Sequence, residues 1–348
     1  MINKEIPVLV TGGSGYIASW VVQQLLEQGY KVNATVRNKS KIAKVDHLLE
    51  LQKKFTGKLE LYEADLLKEG SFEKAMEGCE LVIHMASPFK VNVKDAQKEL
   101  VDPALKGTRN ILKQVNETAT VKRVVLTSSV AAIYGDAIDV KETKNGVFTE
   151  EYWNTTSSLK HQPYSYSKTV AEKEAWKLQK EQSRWDLVVI NPSFVMGPSL
   201  SHRTDGESTD FMIQLTSGGF KTGAPYLSFG FVDVRDVAAA HILAGTKESV
   251  SGRHITCATS KTMLEAATIL RKEFGNKYKL PSKQLPKFLM YLVGPLAGFS
   301  WKFVSNNIGI PMSFDNSYSK TDLDLVYRDL SETFKDQVAQ LKVSGHIK

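Results

Sequence analysis

Residues Val8–Ala18 read VLVTGGSGYIA, and this stretch limits the possible folds more than any other. A short apolar run, Val8 to Val10, breaks into Thr11-Gly12-Gly13-Ser14-Gly15. Ile17, Val21, Val22, Leu25 and Leu26 then fall on one helical face. The spacing predicts a strand, a tight glycine turn and a helix. Glycine lets the backbone turn sharply and approach a ligand closely, because no Cβ intervenes. The helix that follows aims unpaired N–H groups and a positive dipole end at the turn, an arrangement that favours a pyrophosphate.

The rest of the first half repeats this alternation. Strand-like runs occur at Lys31–Val36, Leu59–Glu63, Leu81–His84, Arg123–Thr127 and Asp186–Ile190, with helical patterns at Lys41–Phe55, Phe72–Met76, Pro103–Asn116 and Ser165–Glu181. Continuous apolar strands such as VVL and LVVI suit a parallel sheet covered on both faces. The expected fold class is therefore α/β, a doubly wound parallel sheet of the Rossmann type, with its ligand at the carboxyl ends of the strands. After Asn191-Pro192 the rhythm is lost. Residues 1–190 and 231–260 are expected to form the nucleotide-binding domain, and 191–230 and 261–348 a smaller substrate-binding lobe. Thr262 and Glu265 have capping-box spacing, and Gly275 is placed to close that helix. Phe288–Phe299 is strongly apolar, but Gly294-Pro295 interrupts it and it is too short to span a bilayer. A buried lid or pocket helix is expected there.

The net charge of +7 is spread among acids along the chain, so solvated faces are expected and no nucleic-acid partner. Cys79 and Cys257 lie in apolar stretches without C-x-x-C spacing, which fits a reducing, cytoplasmic setting. No signal peptide is visible ahead of the first strand. The seven His are scattered without ligand spacing, so no metal is expected. The expected partner is a small molecule, with no membrane contact, and the chain reads as a monomer or homodimer.

In this fold an acid after the second strand holds the ribose hydroxyls of NAD, whereas a basic residue accommodates a 2′-phosphate. Here Val36 is followed by Arg37, Lys39, Lys41 and Lys44, with no acid before Asp46. An Asp would repel a phosphate dianion, and Arg37 can grip it with a planar fork. NADPH is expected rather than NADH. Asp65, after the third strand, is placed either to meet the adenine amino group or to cap the helix that follows.

Tyr164 and Lys168 lie four apart at the start of a helical pattern, hence on one face. The stripe continues through Ala171, Ala175 and Leu178, as expected of a helix packed on a sheet. A nearby ammonium favours tyrosinate and lowers the phenol pKa, so that Tyr164 can exchange a proton near neutrality. Thr127-Ser128-Ser129 ends a strand at the carboxyl edge, where a serine hydroxyl can donate to an oxygen that is gaining charge.

TGGSGYIA, Asp65-Leu66, His84-Met85-Ala86-Ser87-Pro88, Lys106-Gly107-Thr108, TSSVAA, YSYSK and Asn191-Pro192-Ser193 occur in an order that resembles the extended short-chain dehydrogenase/reductases. Within that family the chain is similar to the group of dihydroflavonol, cinnamoyl-CoA and yeast methylglyoxal (aldehyde) reductases. The resemblance implies Ser129, Tyr164 and Lys168 as the catalytic residues, with Ser128 the alternative serine. It implies a cofactor site of Gly12, Gly15, Tyr16, Ile17, Ala18, Asp65, Leu66, Met85, Ala86 and Ser87. Arg37 and Lys44 would lie near the 2′-phosphate, and Pro192, Ser193 and Val195 near the nicotinamide. The chain departs from the plant enzymes at the substrate: TSSVAAIY puts Tyr134 where dihydroflavonol reductases carry an Asn, and HQPYSYSK lacks the Trp and Cys typical of cinnamoyl-CoA reductases. Phe89, Tyr134, Phe194, Met212 and Tyr226 are the expected lining of an apolar pocket. The implied activity is NADPH-dependent reduction of an aldehyde or ketone. A nucleotide-sugar epimerase or dehydratase holding NAD, and a non-enzymatic NADP sensor, are the competing readings.

Overall fold

In the computed structural model, residues 3–87, 93–201 and 206–348 are described. Seven parallel strands form the main sheet in the order β3-β2-β1-β4-β5-β6-β9. They are β1 (Val8–Thr11), β2 (Val32–Val36), β3 (Leu59–Glu63), β4 (Leu81–His84), β5 (Arg123–Thr127), β6 (Asp186–Pro192) and β9 (Gly252–Thr256). The sheet is covered on both faces, and the strand alternation shows how. Val8 and Val10 point into one core with the helix Tyr16–Glu27 and with Ala238 and Ile242 of the helix Val234–Thr246. Leu9, between them, points into the opposite core with Ile111, Val115 and Ala175. That second core lies under the helices Asp102–Glu117 and Pro163–Lys180. A strand buried on both sides needs apolar residues at every position, which explains the continuous runs. The strand order reverses between β1 and β4, so a crevice opens at their carboxyl ends.

A second sheet, ordered β10-β8-β7, is built from β7 (Phe194–Met196), β8 (Ser228–Asp233) and β10 (Thr259–Thr262). Its core contains Phe231, Met212, Leu270 and Phe334. The chain crosses between the two bodies more often than two clean segments would require. Between β8 and β10, the helix Val234–Thr246 and β9 return to the main sheet. Leu323 and Leu325, in the tail, are buried in the main core. The capping box at Thr262 and Glu265 is formed, and Gly275 follows the end of that helix at φ +61°.

Phe288–Phe299 differs from expectation. Phe288, Leu292 and Leu296 are exposed, and among the large side chains of this stretch Met290 is the one that is buried. An apolar run signals a surface to be covered, but not which body covers it.

Candidate active site

The glycine turn is shaped by its neighbours. Gly12 has φ +69°, and a Cβ there would lie 3.0 Å from the Ala86 Cα. Thr35 binds the turn from β2: its hydroxyl accepts from Gly12 N–H and its carbonyl from Gly13 N–H. Gly15 provides no side-chain cap for the helix Tyr16–Glu27, so the first-turn amides, Ile17 included, are left for a ligand. The Tyr16 side chain is used elsewhere, donating to Gly197 O at 2.7 Å.

Thr11 joins β1 to the end of β4. Its Oγ1 accepts from the Met85 and Ala86 amides at 3.0 Å each and lies 2.8 Å from His84 Nδ1. With both lone pairs taken, the hydroxyl proton points to Nδ1, so His84 carries its own proton on Nε2. Burial, helped by Lys168, pushes His84 down to about 3, and the ring is neutral in the physiological range. Ser87, beyond it, is exposed and accepts from Lys168 Nζ at 3.2 Å.

Arg37 and Lys44 are both exposed, and among the described residues neither has an ion-pair partner. Lys39 is committed, donating to Leu61 O. The Asp65 carboxylate accepts from Leu67 N–H at 2.8 Å within a turn; the next helix begins only at Glu73, so Asp65 caps no helix. Leu66 packs against Gly107, where a Cβ would come within 2.5 Å of Leu66 Cγ.

Ser128 and Ser129 diverge. Ser129 accepts from Ala131 N–H at 3.1 Å and shares a hydrogen bond with Tyr164. Ser128 is buried and donates to Glu172 Oε2 at 2.5 Å. The Tyr164 phenol is pushed above its ordinary range by burial and by Glu207, against the Ser129 bond. That direction is opposite to the one expected from Lys168, whose Nζ lies 5.8 Å from the ring centroid. Lys168 is itself pushed down to about 8 by burial, with Glu172 opposing.

Glu172, one turn beyond Lys168, is 1% exposed and was not picked out from the sequence. It also accepts from Asn191 Nδ2 at 2.8 Å, Arg253 Nε at 2.6 Å and Trp176 Nε1 at 3.3 Å. Arg253 in turn donates to the carbonyls of Glu150 and Tyr152 and stacks on Trp153 at 3.9 Å. The only sequence signal was a carboxylate on the buried side of an amphipathic helix.

At the nicotinamide end of the expected site, Pro192 closes β6 and is buried. The Ser193 hydroxyl donates to Thr256 O at 3.0 Å, so it faces β9, while Val195 is half-buried on β7. Of the expected substrate lining, Tyr134 stacks on Phe148 at 4.9 Å and meets Phe314 at 5.6 Å. Phe194 sits among Phe211, Phe229 and Phe231. Tyr134, Phe194 and Tyr226 keep some exposure, but Met212 is fully buried in the lobe core. Met212 is therefore a packing residue, because it lies on the inner side of the helix Glu207–Ser217. Phe89 lies outside the described residues.

Asp136 was also missed. It is 1% exposed and accepts from Asn306, Asn307 and His161 at 2.9, 2.7 and 2.6 Å. Burial alone would raise this carboxyl, but these partners hold it below the usual range. Asp136 thereby ties the loop after Ser129 to the segment that leads into Tyr164 and to the helix Trp301–Asn307. Among the described residues no cluster of His, Cys, Asp and Glu could hold a metal.

A glycine turn at the switch point of a parallel sheet, with a Ser, a Tyr and a Lys at its carboxyl edge, defines a dinucleotide-binding fold of the Rossmann class. The chain belongs to the NAD dependent epimerase/dehydratase family, whose model matches residues 8–258. It is similar to cinnamoyl-CoA reductase CAD2 of Medicago truncatula, 40% identical, with 96% of this chain and 95% of that protein covered. It is also similar to an anthocyanidin reductase of Vitis vinifera, 38% identical over 78% of this chain and 82% of that one. Among solved structures it resembles yeast methylglyoxal/isovaleraldehyde reductase Gre2 complexed with NADPH. The TM-score is 0.79 at 29% identity, with 98% of this chain and 100% of the other covered.

Proposed function

We propose that this protein is an NADPH-dependent reductase of aldehydes and ketones, acting on apolar or aromatic carbonyl compounds. The observation that carries the reading is the meeting of Ser129, Tyr164 and Lys168 at the carboxyl edge of the sheet, beside a glycine turn built for close approach. The relatives named above are reductases, and the solved one was complexed with NADPH.

The residues present fit that cofactor. A side chain at Gly12 would collide with Ala86, the helix behind Gly15 is uncapped, and Arg37 and Lys44 are free for a phosphate. Gly12, Gly15, Ile17, Met85, Ala86 and Ser87 would hold the pyrophosphate side, Asp65 and Leu66 the adenine side, and Pro192 and Val195 the nicotinamide side. When bound, NADPH supplies the hydride. The chain supplies the proton: Tyr164, kept protonated by burial, donates from its hydroxyl to the carbonyl oxygen. Ser129 orients that oxygen and stabilises its growing charge. Lys168 brings a positive charge to the site and can pass a proton toward Tyr164. Tyr134, Phe194 and Tyr226 offer apolar surface for the substrate, and residues 191–230 and 261–348 supply most of the lobe that covers it.

The test is a screen of NADPH consumption over methylglyoxal, branched aldehydes, hydroxycinnamoyl-CoA thioesters and aryl ketones. Turnover of at least one, abolished in Tyr164→Phe, is expected. Purified protein carrying NAD and converting a nucleotide sugar would overturn the reading in favour of an epimerase.

A further inference from the structure

From Phe274 to Phe314 the sequence has no Asp or Glu, yet it carries Lys277, Lys279, Lys283, Lys287 and Lys302. At its centre the helices Lys287–Val293 and Trp301–Asn307, with the turn Pro295–Ala297 between them, lie at the surface. Phe288 is 68% exposed, Leu292 69%, Leu296 89% and Trp301 69%, and Tyr291 and Val293 are exposed beside them. Six of the twelve exposed large apolar side chains among the described residues thus fall within 288–301. Concentration of this kind marks a contact surface rather than ordinary scatter.

The inner side of this unit is firmly held. Met290, Val304 and Ile308 pack with Leu227, Asn306 and Asn307 donate to Asp136, and Lys287 Nζ donates to Ser305 O between the two helices. The outer side is therefore a fixed apolar face on a segment that carries cations and no anions. A fitting partner covers apolar surface and is negatively charged. Of the six outer side chains, four are purely hydrocarbon and offer a protein partner no hydrogen bond to fix its register, and a bilayer needs none.

We propose that this face seats on an anionic lipid bilayer surface. Phe288, Leu292, Leu296 and Trp301 enter the boundary between headgroups and acyl chains, and Lys283 and Lys302 meet the negative headgroups. Trp301 and Tyr291 are of the residue types that favour that boundary. Contact is peripheral, since no described helix is long and apolar enough to cross a membrane. The expectation of a buried lid or pocket helix at Phe288–Phe299, preferred there over membrane contact, does not fit the exposure of Phe288, Leu292 and Leu296.

The test is flotation of the full chain with vesicles of phosphatidylcholine alone and of phosphatidylcholine with an equal part of phosphatidylserine. Binding to the mixed vesicles is expected, weakened by high salt, with little binding to phosphatidylcholine. Leu292→Ser/Leu296→Ser is expected to lower partitioning about tenfold, and Lys283→Gln/Lys302→Gln to remove the preference for phosphatidylserine, both with unchanged unfolding temperature. Trp301→Ser, on the other helix, repeats the first test should the double variant fail to fold. Any of four results would overturn the proposal: no flotation, equal binding to both vesicles, variants that bind like the parent, or a lipid-free dimer that Leu292→Ser/Leu296→Ser dissociates. The last would assign the face to a second copy of the chain.

Discussion

Ser128 and Ser129 leave the end of β5 in opposite directions, into two regions with different bonding. Ser128 enters a buried layer where both oxygens of Glu172 are occupied, by Ser128, Asn191, Arg253 and Trp176. Ser129 enters the crevice edge, where Tyr164, Lys168 and Ser87 make few bonds and remain partly accessible. A buried carboxylate with both oxygens bonded is rigidly held and chemically quiet. An edge with bonds to spare can respond to a ligand. Directly behind the edge, Glu172 links the ends of β5, β6 and β9 to the Tyr–Lys helix, as pre-organisation of an active site requires.

Substitutions on the two sides are expected to fail differently. Tyr164→Phe removes the proposed proton donor from the edge and is expected to cut kcat by about 10²–10⁴-fold while NADPH affinity, measured by fluorescence titration, hardly changes. Glu172→Gln leaves Arg253 buried without its counter-charge and is expected to destabilise the protein by about 3–5 kcal/mol, read as a lowered denaturant midpoint. If Glu172→Gln instead kept full stability and lost only turnover, the contrast between the two regions would fail. Arg37→Ala removes a charge-assisted bond of about 1.5–3 kcal/mol; NADPH affinity should fall on the order of tenfold to a hundredfold, with NADH affinity unchanged. The serines give the sharpest pair: Ser128→Ala, which removes a bond to a buried carboxylate, is expected to cost about 1.5–3 kcal/mol of stability, and Ser129→Ala to lower kcat without moving the midpoint.

The pH dependence follows from Lys168. Its folded pKa, about 8, is below the ordinary lysine value of 10.5. The unfolded chain therefore binds more protons between these values, and this group's contribution to stability rises with pH across that window. Activity that needs the ammonium is expected to move the other way, declining as pH rises past about 8. Lys168→Arg would shift any residual activity's decline to higher pH, as a pH–kcat/KM profile would show.

The main sheet was legible because burial on both faces leaves a simple apolar signature, and the glycine turn because its chemistry is local. Tyr164 and Lys168 were legible for the same reason, being one helical turn apart. Glu172 and Arg253 are 81 positions apart, and nothing local pairs them. Asp136 likewise finds Asn307 across 171 positions. The direction of a serine hydroxyl depends on which neighbour completes its bond, so Ser128 and Ser129 separate only in three dimensions. Met212 and the 288–301 face share one cause: hydrophobicity marks a residue for contact without telling whether core, ligand or another surface supplies it.

The most direct measurement is the structure of a ternary complex with NADP⁺ and a carbonyl ligand. The Tyr164 hydroxyl is expected within hydrogen-bonding distance of the ligand oxygen, with Ser129 beside it and Ser128 still on Glu172. A ligand oxygen bound by Ser128 or His84, with Tyr164 out of reach, would contradict that expectation.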